Sequence, residues 1–443
     1  MRWNQKYLLK SYISGSLWLV PFLSVVLYWG GGRIAFGIET WMRQNQSIDE
    51  TTAFYGLSVA GARALLETEI TANISFLVFA FSSLLVAIQV ASGQYTPRII
   101  ATTLLRDNAI RFTVGYFIFT FLCALKVLAK MGDGPVPQFS CFIAGVLGLV
   151  SVIVFLYLID YAARFLRPVS IVQRVGESGI AVIRTLYPES TTGPRAAGLS
   201  HTRFSPSRTI AHAGNSAVVL AVDLQGLLVK AQHAGGIIEF LPQVGDFVAV
   251  DDPLFRLYGG AGSIDESELR ALVALGSERT LEQDATFAFR ILVDIAIKAL
   301  SPAINDPTTA VLALDQLHRL LRMVGLRHVS REEICDAAGE LRLVFKTPNW
   351  EDYVHLTCTE IRHCGGGSIQ IMRRTRSMLK NLIQTLPPHR HAELSQQIEF
   401  LDRTIEKHYL FPEDRALACI PDSQGLGGTV GMQPINGSPE VQS

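Results

Sequence analysis

Charged and amide side chains gather where one apolar segment of the chain ends and the next begins. The stretch 299-ALSPAINDPTTAVLALDQL-317 carries Asn305 and Asp306 at this junction. Upstream, Arg290 and Asp294 are four residues apart, so on a helix they share one face. If the two segments fold back as a helical hairpin, these four side chains could lie together. Such a group could bind an ion, an anionic ligand or a partner protein.

The same stretch also has a simpler interpretation as a capped helix corner. Pro302 ends the first helix, since a proline disfavours a helical conformation in the residue before it. Asp306 is a suitable N-cap for the second helix, with Pro307 at its first position. Ion pairs such as Arg290–Asp294 are common on helix faces. We favour this interpretation and keep the ligand site as the alternative.

Histidine and cysteine side chains occur close together in 355-HLTCTEIRHC-364. These are residue types that bind zinc. Their spacing matches none of the usual zinc motifs, and on a helix Cys364 would point away from His355 and Cys358. We therefore predict no metal site and place Cys358 in the core.

A polar stripe runs along an apolar segment nearer the N-terminus. Ser75, Ser82 and Gln89 follow one another at seven-residue intervals, which is about two helical turns. Small and hydroxyl residues allow transmembrane helices to pack closely, whereas substrate paths usually contain ionisable groups. Helix packing is the favoured interpretation of this stripe, and a pore is the alternative.

No catalytic or nucleotide-binding motif accompanies these residues. Gly365–Gly367 lies between two predicted helices with no following lysine, so it is not a phosphate-binding loop. With 39 basic and 39 acidic residues, the chain lacks the basic excess of a nucleic-acid binder. We expect no catalytic residue, no cofactor and no nucleic-acid partner. A non-enzymatic function is favoured over an enzymatic one.

The elements that must position these residues begin with a very apolar N-terminal third. A transmembrane helix requires about 20 apolar residues. The chain has 443 residues. Four of its segments meet the requirement: 13–33, 71–91, 112–131 and 140–160. A cleaved signal peptide is the weaker interpretation of the first, because its apolar run is long and three further spans follow. Residues 1–165 are therefore predicted as a transmembrane domain, with an outer amphipathic helix at 50–69.

The distribution of lysine and arginine predicts the orientation of the spans. Basic residues are more frequent on the side that holds Arg2, Lys6, Lys10, Arg98, Arg106, Arg111, Arg164 and Arg167. The positive-inside rule places that side in the cytoplasm. Both termini and all of the chain after residue 165 are then cytoplasmic. The cysteines beyond the spans would lie in a reducing compartment, so no disulfide is expected.

Composition and periodicity divide the remainder of the chain into four regions. These are a connector at 166–215, a small β module at 216–262, an all-α helical domain at 263–420 and a disordered tail at 421–443. In the β module, 244-VGDFVAVDDPLFRL-257 resembles half of a barrel-sandwich of the biotinyl/lipoyl type, without its modified lysine. The predicted helices are 265–275, 279–300, 307–324, 331–345, 350–364, 367–386, 391–410 and 412–419.

Two long stretches carry a resemblance to a known family. They are 61-GARALLETEITANISFLVFAFSSLLVAIQVASGQYTPRIIATTLLRDNAIRF-112 and 278-ERTLEQDATFAFRILVDIAIKALSPAINDPTTAVLALDQL-317. Both resemble the bacterial predicted-membrane-protein family called domain of unknown function 2254. The likeness extends over roughly residues 10–415 and includes the Val-Gly-Asp-Phe-Val module, with Val244 where the family would have proline. The resemblance implies a membrane topology and no particular activity.

We therefore predict an α-helical integral membrane protein with four transmembrane helices and a cytoplasmic α+β region. The favoured function is a homo-oligomeric channel-like, transport-associated or scaffold element of the bacterial inner membrane. Few spans, a polar stripe and a large cytoplasmic region support this expectation. Its partners would be the lipid bilayer, further copies of the chain, and an unknown cytoplasmic protein or small ligand. The alternative is a membrane-anchored enzyme or ligand sensor that uses the helix corner at residues 290–306.

Overall fold

The computed structural model describes residues 2–16, 18–44, 57–94, 107–131, 136–165, 167–188, 205–329 and 333–428. Two compact units divide the chain. The first lies within residues 10–171, and the second within residues 172–443 together with the N-terminal residues before Lys10.

Long helices form the first unit. In chain order they are α1 Trp3–Gly15, whose first residues belong to the second unit, α2 Leu19–Gln44, α3 Val59–Gln94, α4 Asn108–Lys130 and α5 Gln138–Phe165. Among the described residues, three helical segments are long and apolar enough to cross a bilayer: Val59–Val90, Asn108–Lys130 and Gln138–Arg164. Large apolar side chains on their outer faces, among them Leu149 and Ile153, are exposed, as contact with lipid requires.

The first predicted span, at 13–33, is not one continuous helix. α1 ends at Gly15 and α2 begins at Leu19, and the two segments Trp3–Gly15 and Leu19–Gly30 are bent by 82° at the break. Pro21 falls in the first turn of α2, where its missing N–H costs no hydrogen bond, so the sequence favours a new helix start there. The described residues contain three spans, or up to four if the bent pair counts as one.

α3 begins earlier than the predicted second span. The sequence suggested an outer helix at 50–69 and a separate span at 71–91. Residues 50–56 lie outside the described residues, and from Val59 onward the structure has a single helix that continues through Gln94. No helix-breaking residue separates the two predicted pieces. The continuous helix places Glu69 inside the apolar bundle.

Hydrogen bonds from polar side chains connect helices of the first unit. Asp107 caps α4 by accepting a hydrogen bond from the backbone N–H of Ile110, and it also accepts one from the Tyr161 hydroxyl. Arg111 donates hydrogen bonds to the carbonyl oxygens of Ser14 and Ile13, at 3.1 and 3.0 Å. It thereby satisfies carbonyl groups that the end of α1 leaves without helical partners.

The second unit contains two small sheets. Its strands are β1 Arg208–Ala211, β2 Ala217–Val222, β3 Gly236–Phe240, β4 Phe247–Val248, β5 Pro253–Gly259, β6 Val273–Gly276, β7 Glu333–Cys335 and β8 Leu341–Phe345. One sheet has the order β1-β5-β3-β8-β7 and is antiparallel except between β3 and β8; the other, β4-β2-β6, is antiparallel. β4 and β5, which carry the barrel-sandwich likeness, lie in different sheets.

Two predicted helices in this unit are wrong. Of the segment predicted as a helix at 331–345, the described residues 333–345 form β7 and β8, joined by a turn in which Asp336 accepts hydrogen bonds from the N–H groups of Ala338 and Glu340. Gly339 has φ +82°, which glycine adopts without strain. The segment 265–275 forms only a short helix before β6. The region predicted as all-α therefore contributes three strands to the sheets, and β8 pairs with β3, about a hundred residues earlier in the chain.

Helices make up the remainder of the second unit. They are α6 Pro168–Leu186, most of which belongs to this unit, α7 Leu224–Ala234, α8 Glu266–Arg270, α9 Ala285–Ala299, α10 Pro307–Gly325, α11 Trp350–Gly365, α12 Ile369–Thr385, α13 His391–His408 and α14 Pro412–Ala418. The helices predicted at 307–324 and 350–364 are confirmed by α10 and α11. α9 has the largest buried fraction of residues among these helices, and most of its apolar side chains lie in the core.

The beginning of the segment predicted as a disordered tail is attached to α12. The buried guanidinium of Arg373 donates hydrogen bonds to the carbonyl oxygens of Ile420, Gly427 and Gly428. Asp422 accepts hydrogen bonds from backbone N–H groups within the same segment. Residues 429–443 lie outside the described residues.

Candidate functional site

A buried carboxyl group stands out among the apolar helices of the first unit. Glu69 lies on α3 within the apolar segment Val59–Val90 and is 7% exposed. Neither of its carboxylate oxygens has a hydrogen-bond partner among the described residues. A buried ionised carboxylate without a partner is strongly disfavoured, so this group requires a proton, a cation or a hydrogen-bond donor.

A chain of polar side chains lies one helical turn from Glu69. The amide of Asn73 donates to the carbonyl oxygen of Glu69 at 3.0 Å. The Thr120 hydroxyl on α4 donates to Asn73 Oδ1 at 2.9 Å, and the Ser151 hydroxyl on α5 donates to Thr120 Oγ1 at 3.3 Å. All three side chains are almost fully buried. They connect α3, α4 and α5 through a polar layer whose hydrogen bonds would be costly to break in an apolar interior.

A cavity of about 610 Å³ opens beside Glu69 and Asn73, between α3 and α5. A glycine of α5, Gly148, leaves room for the carboxyl group. A methyl group placed on Gly148 would lie 3.0 Å from Glu69 Cδ, which is too close without a shift of the side chain. One turn earlier, the same methyl on Gly145 would lie an ordinary 3.6 Å from Leu65. Gly148 is thus the position on α5 that admits the Glu69 side chain.

The predicted polar stripe lies on another face of α3. Ser75, Ser82 and Gln89 are all exposed, whereas Asn73 and Ala80 face the interior of the bundle. The Ser75 hydroxyl is bonded to the carbonyl oxygen of Thr71 in its own helix, at 2.9 Å. Within this chain, the stripe therefore does not line the cavity beside Glu69.

The predicted helix corner in the second unit has the geometry of a cap. Asp306 Oδ1 accepts from the N–H of Thr309 at 3.1 Å, and Oδ2 accepts from the Thr309 hydroxyl at 2.5 Å. Asn305 has φ +47°, in the left-handed region that asparagine tolerates better than most residues. Its N–H donates to the carbonyl oxygen of Ser301 at 2.8 Å. The corner is closed by its own hydrogen bonds.

Arg290 and Asp294 form an ion-pair network on α9 together with Glu360 on α11. Arg290 donates to Asp294 Oδ1 at 2.6 Å and to Glu360 Oε1 at 2.5 Å. These hydrogen bonds raise the pKa of Arg290, and the bond from Arg290 lowers the pKa of Glu360. Arg290 is nine residues before the end of α9, or about 14 Å of helix. The four predicted residues therefore form two separate groups.

The histidine and cysteine cluster is divided between the core and the surface. Cys358 is buried in the core, as predicted, and burial raises the pKa of its thiol to about 12. Cys364 is exposed. No group of three histidine, cysteine or acidic side chains able to hold a metal ion occurs in the described part of the chain.

Comparison with known proteins identifies the family. The model of the family described as "Predicted membrane protein (DUF2254)" matches residues 14–381. The chain belongs to this family. Among its relatives are uncharacterized proteins of Mycobacterium bovis and Mycobacterium tuberculosis, each 26% identical over 431 residues, which cover 94% of this chain and 81% of the relative. No solved structure matches the chain.

The part matched by the DUF2254 model includes both regions described above. The polar layer around Glu69 and the helix corner at Asp306 each lie between residues 14 and 381. Sequence reasoning found the corner but missed Glu69, Asn73, Thr120 and Ser151. Glu69 and Asn73 are spaced four residues apart, in phase with the small residues Ala62 and Ala80. If α3 is treated as one continuous helix, this shared face indicates that Glu69 points into the helix bundle.

Proposed function

We propose that this DUF2254 member is a multi-pass protein of the bacterial inner membrane that conducts protons or small cations through a path containing Glu69. The observation that carries the proposal is the buried carboxyl group, which has no partner among the described residues and opens to a cavity between α3 and α5. Ionisable side chains within transmembrane segments are costly, and they characteristically serve ion or proton pathways. A carboxyl group offers a site that a proton or a cation can occupy and leave.

The proposed topology has four spans and cytoplasmic termini. The broken pair of α1 and α2 would act as the additional span, because together the two helices are long and apolar enough. The excess of lysine and arginine on one side supports a cytoplasmic location for the termini and for the second unit. In that arrangement the second unit is available to regulate the path from the cytoplasm.

We further propose that the working form is a homo-oligomer. Four helices are few to enclose a path by themselves. Ser75, Ser82 and Gln89 lie on an exposed face of an otherwise apolar helix. Polar side chains on such a face gain hydrogen bonds when a second helix covers them. Contact between α3 helices of neighbouring copies would provide that cover.

The alternative of a membrane-anchored enzyme or ligand sensor at residues 290–306 has weaker support. Arg290 is already bonded to Asp294 and Glu360, and Asp306 is engaged with Thr309. A binding site usually offers polar groups that are not yet satisfied by the protein itself.

Flux measurements test the proposed conduction. Purified protein in liposomes that contain a pH-sensitive dye should dissipate an imposed proton gradient, or should admit Na⁺ or K⁺ under an imposed potential. Glu69→Gln should reduce the rate strongly, by about a hundredfold, as expected when a proton-transfer group is removed. Glu67→Gln is the matched control, because Glu67 is exposed and lies two residues away on α3. A folded oligomer that passes neither protons nor cations, or a Glu69→Gln variant as active as the wild type, contradicts the proposal.

A further inference from the structure

A second cavity, of about 520 Å³, lies inside the second unit, between the sheets and the helices. Its walls come from widely separated parts of the chain, including the segment after α6, the end of β8 and the first turn of α11. Volumes of this size are typical of pockets that hold small organic molecules. Apolar side chains such as Leu228, Phe240 and Phe345 form much of the wall. The cavity can therefore enclose an apolar molecular body.

Among the described residues that line the cavity, the one carboxylate is that of Asp284, and it is already neutralised. Asp284 caps α9 by accepting a hydrogen bond from the N–H of Phe287 at 3.0 Å. Its other oxygen accepts hydrogen bonds from Arg279 Nε and Nη2, at 2.9 and 2.6 Å. Within the described lining, a cationic ligand would find no free negative charge.

Unused hydrogen-bonding groups also face the cavity. The exposed Gln225 and the half-buried Gln243 line it, and neither side-chain amide has a hydrogen-bond partner among the described residues. Lys346 stands exposed at the rim, and within the described parts of the chain no carboxylate pairs with it. The wall therefore offers one unpaired positive charge and two adaptable amide groups.

Two tyrosine hydroxyl groups add a buried donor. The hydroxyls of Tyr187 and Tyr353 lie 3.1 Å apart, and both residues line the cavity. One hydroxyl donates to the other, which leaves the second proton without an acceptor among the described residues. Burial raises the pKa of Tyr187 to about 12 and that of Tyr353 well above its usual value, so both groups keep their protons at neutral pH.

We propose that this cavity binds a small amphipathic carboxylate. The apolar body of the ligand fills the space beside Leu228 and Phe240. Its carboxylate accepts hydrogen bonds from the free polar groups and pairs with Lys346 at the rim. The proposal goes beyond conduction at Glu69, because it assigns a separate ligand site to the second unit.

Protection of a cysteine from alkylation tests this proposal in the full-length protein. Cys335 lines the cavity and is exposed, and Cys364 and Cys419, which are also exposed, lie elsewhere and serve as internal controls. The protein in lipid nanodiscs is treated with N-ethylmaleimide in the presence of increasing 4-phenylbutyrate. Mass spectrometry then gives the modification rate at each cysteine. We expect saturable slowing at Cys335 and unchanged rates at Cys364 and Cys419.

Variants and a neutral probe sharpen the test. Leu228→Trp should abolish the protection by filling the cavity. Lys346→Gln should raise the concentration needed for half-protection by about threefold, the effect of losing an exposed ion pair. Lys380→Gln, at an exposed lysine of α12 outside the cavity lining, should leave it unchanged. The proposal is overturned if 4-phenylbutyrate gives no protection, if Leu228→Trp leaves the protection intact, or if the neutral 4-phenylbutanol protects Cys335 as well as the acid does.

Discussion

Two regions of the molecule contain acidic groups inside or beside a helical core. In one region the acidic groups are paired with an arginine, and in the other the acidic group is buried without a partner among the described residues. On α9 and α11, Arg290 bonds to both Asp294 and Glu360. On α3, Glu69 is buried among apolar helices, and its carboxylate has no partner among the described residues. Both arrangements place acidic side chains on a helix, and only the carboxyl group of Glu69 leaves its hydrogen-bonding capacity unused among the described residues.

The contrast distinguishes stability from function. In a paired network, the attraction between opposite charges offsets much of the free-energy cost of removing them from water. Such a network is therefore stable without a ligand. An unpaired buried carboxyl group lowers the stability of the fold, and proteins retain such groups mainly where they serve a purpose. The predicted corner at residues 290–306 belongs to the first kind. The polar layer at Glu69 belongs to the second.

Crowding Glu69 without changing its chemistry should have a large effect on flux. Gly148→Ala places a methyl group 3.0 Å from Glu69 Cδ and forces the side chain to move. We expect proton or cation flux to fall by about tenfold, because small displacements of a reacting group have large effects on rate. Gly145→Ala is the matched control, since its methyl would lie 3.6 Å from Leu65. Equal flux in both variants would show that the geometry around Glu69 does not limit conduction.

A large loss of stability is expected at Asp284 in the second unit. Asp284→Ala removes the cap of α9 and the partner of Arg279 in one step. The free energy of unfolding should fall by about 3 kcal/mol, the combined effect of a lost cap and of a broken ion pair whose carboxylate is buried. The midpoint of urea unfolding in detergent measures the change. Asp284→Asn keeps a capping oxygen and should recover part of the loss. If Asp284→Asn is as unstable as Asp284→Ala, loss of the cap does not explain the destabilisation.

Local signals in the sequence predicted the corner well. The Asn-Asp-Pro run fixes the start of α10 within a few residues, so Asp306 could be identified as a cap from the sequence alone. The hairpin of β7 and β8 was missed, because β8 is held by parallel pairing with β3, and distant pairing leaves no local pattern. The two-residue period of a strand and the 3.6-residue period of a helix are also hard to distinguish in a segment as short as 341–345.

Glu69 was missed for a different physical reason. Its position depends on where α3 begins, and the sequence was divided at residue 70, between an outer helix and a span. That division assigned Glu69 to the membrane surface. In the structure the helix starts at Val59, so Glu69 lies ten residues inside it and faces Asn73 and Gly148. Which helices cover that face depends on tertiary packing, which the sequence of α3 alone does not determine.

A smaller effect is expected at the helix corner. Asp306→Ala should lower the free energy of unfolding by about 1 kcal/mol, because the N–H of Thr309 loses its acceptor. Asp306→Ser should restore most of the stability, since serine caps nearly as well. Urea unfolding of the three proteins measures the difference. If the unfolding of Asp306→Ser matches that of Asp306→Ala, the role of Asp306 is not capping, and a ligand role for the corner would deserve renewed tests.

The smallest effect belongs to the ion pair between Arg290 and Glu360, and it should depend on pH. The hydrogen bond from Arg290 lowers the pKa of Glu360 in the folded protein, so the pair stabilises the fold above the usual pKa of a glutamate. This contribution is lost as the pH falls through the lowered pKa. Glu360 is half exposed, so solvent limits the contribution to about 0.5 kcal/mol. Glu360→Gln should therefore be slightly less stable than the wild type at pH 7, and the difference should shrink as the pH is lowered below the usual pKa of a glutamate and through the lowered pKa of Glu360. A difference that stays constant as the pH is lowered through the whole acidic range would mean that the side chain stabilises α11 through packing instead of charge, and the contrast with Glu69 would then rest on Asp294 alone.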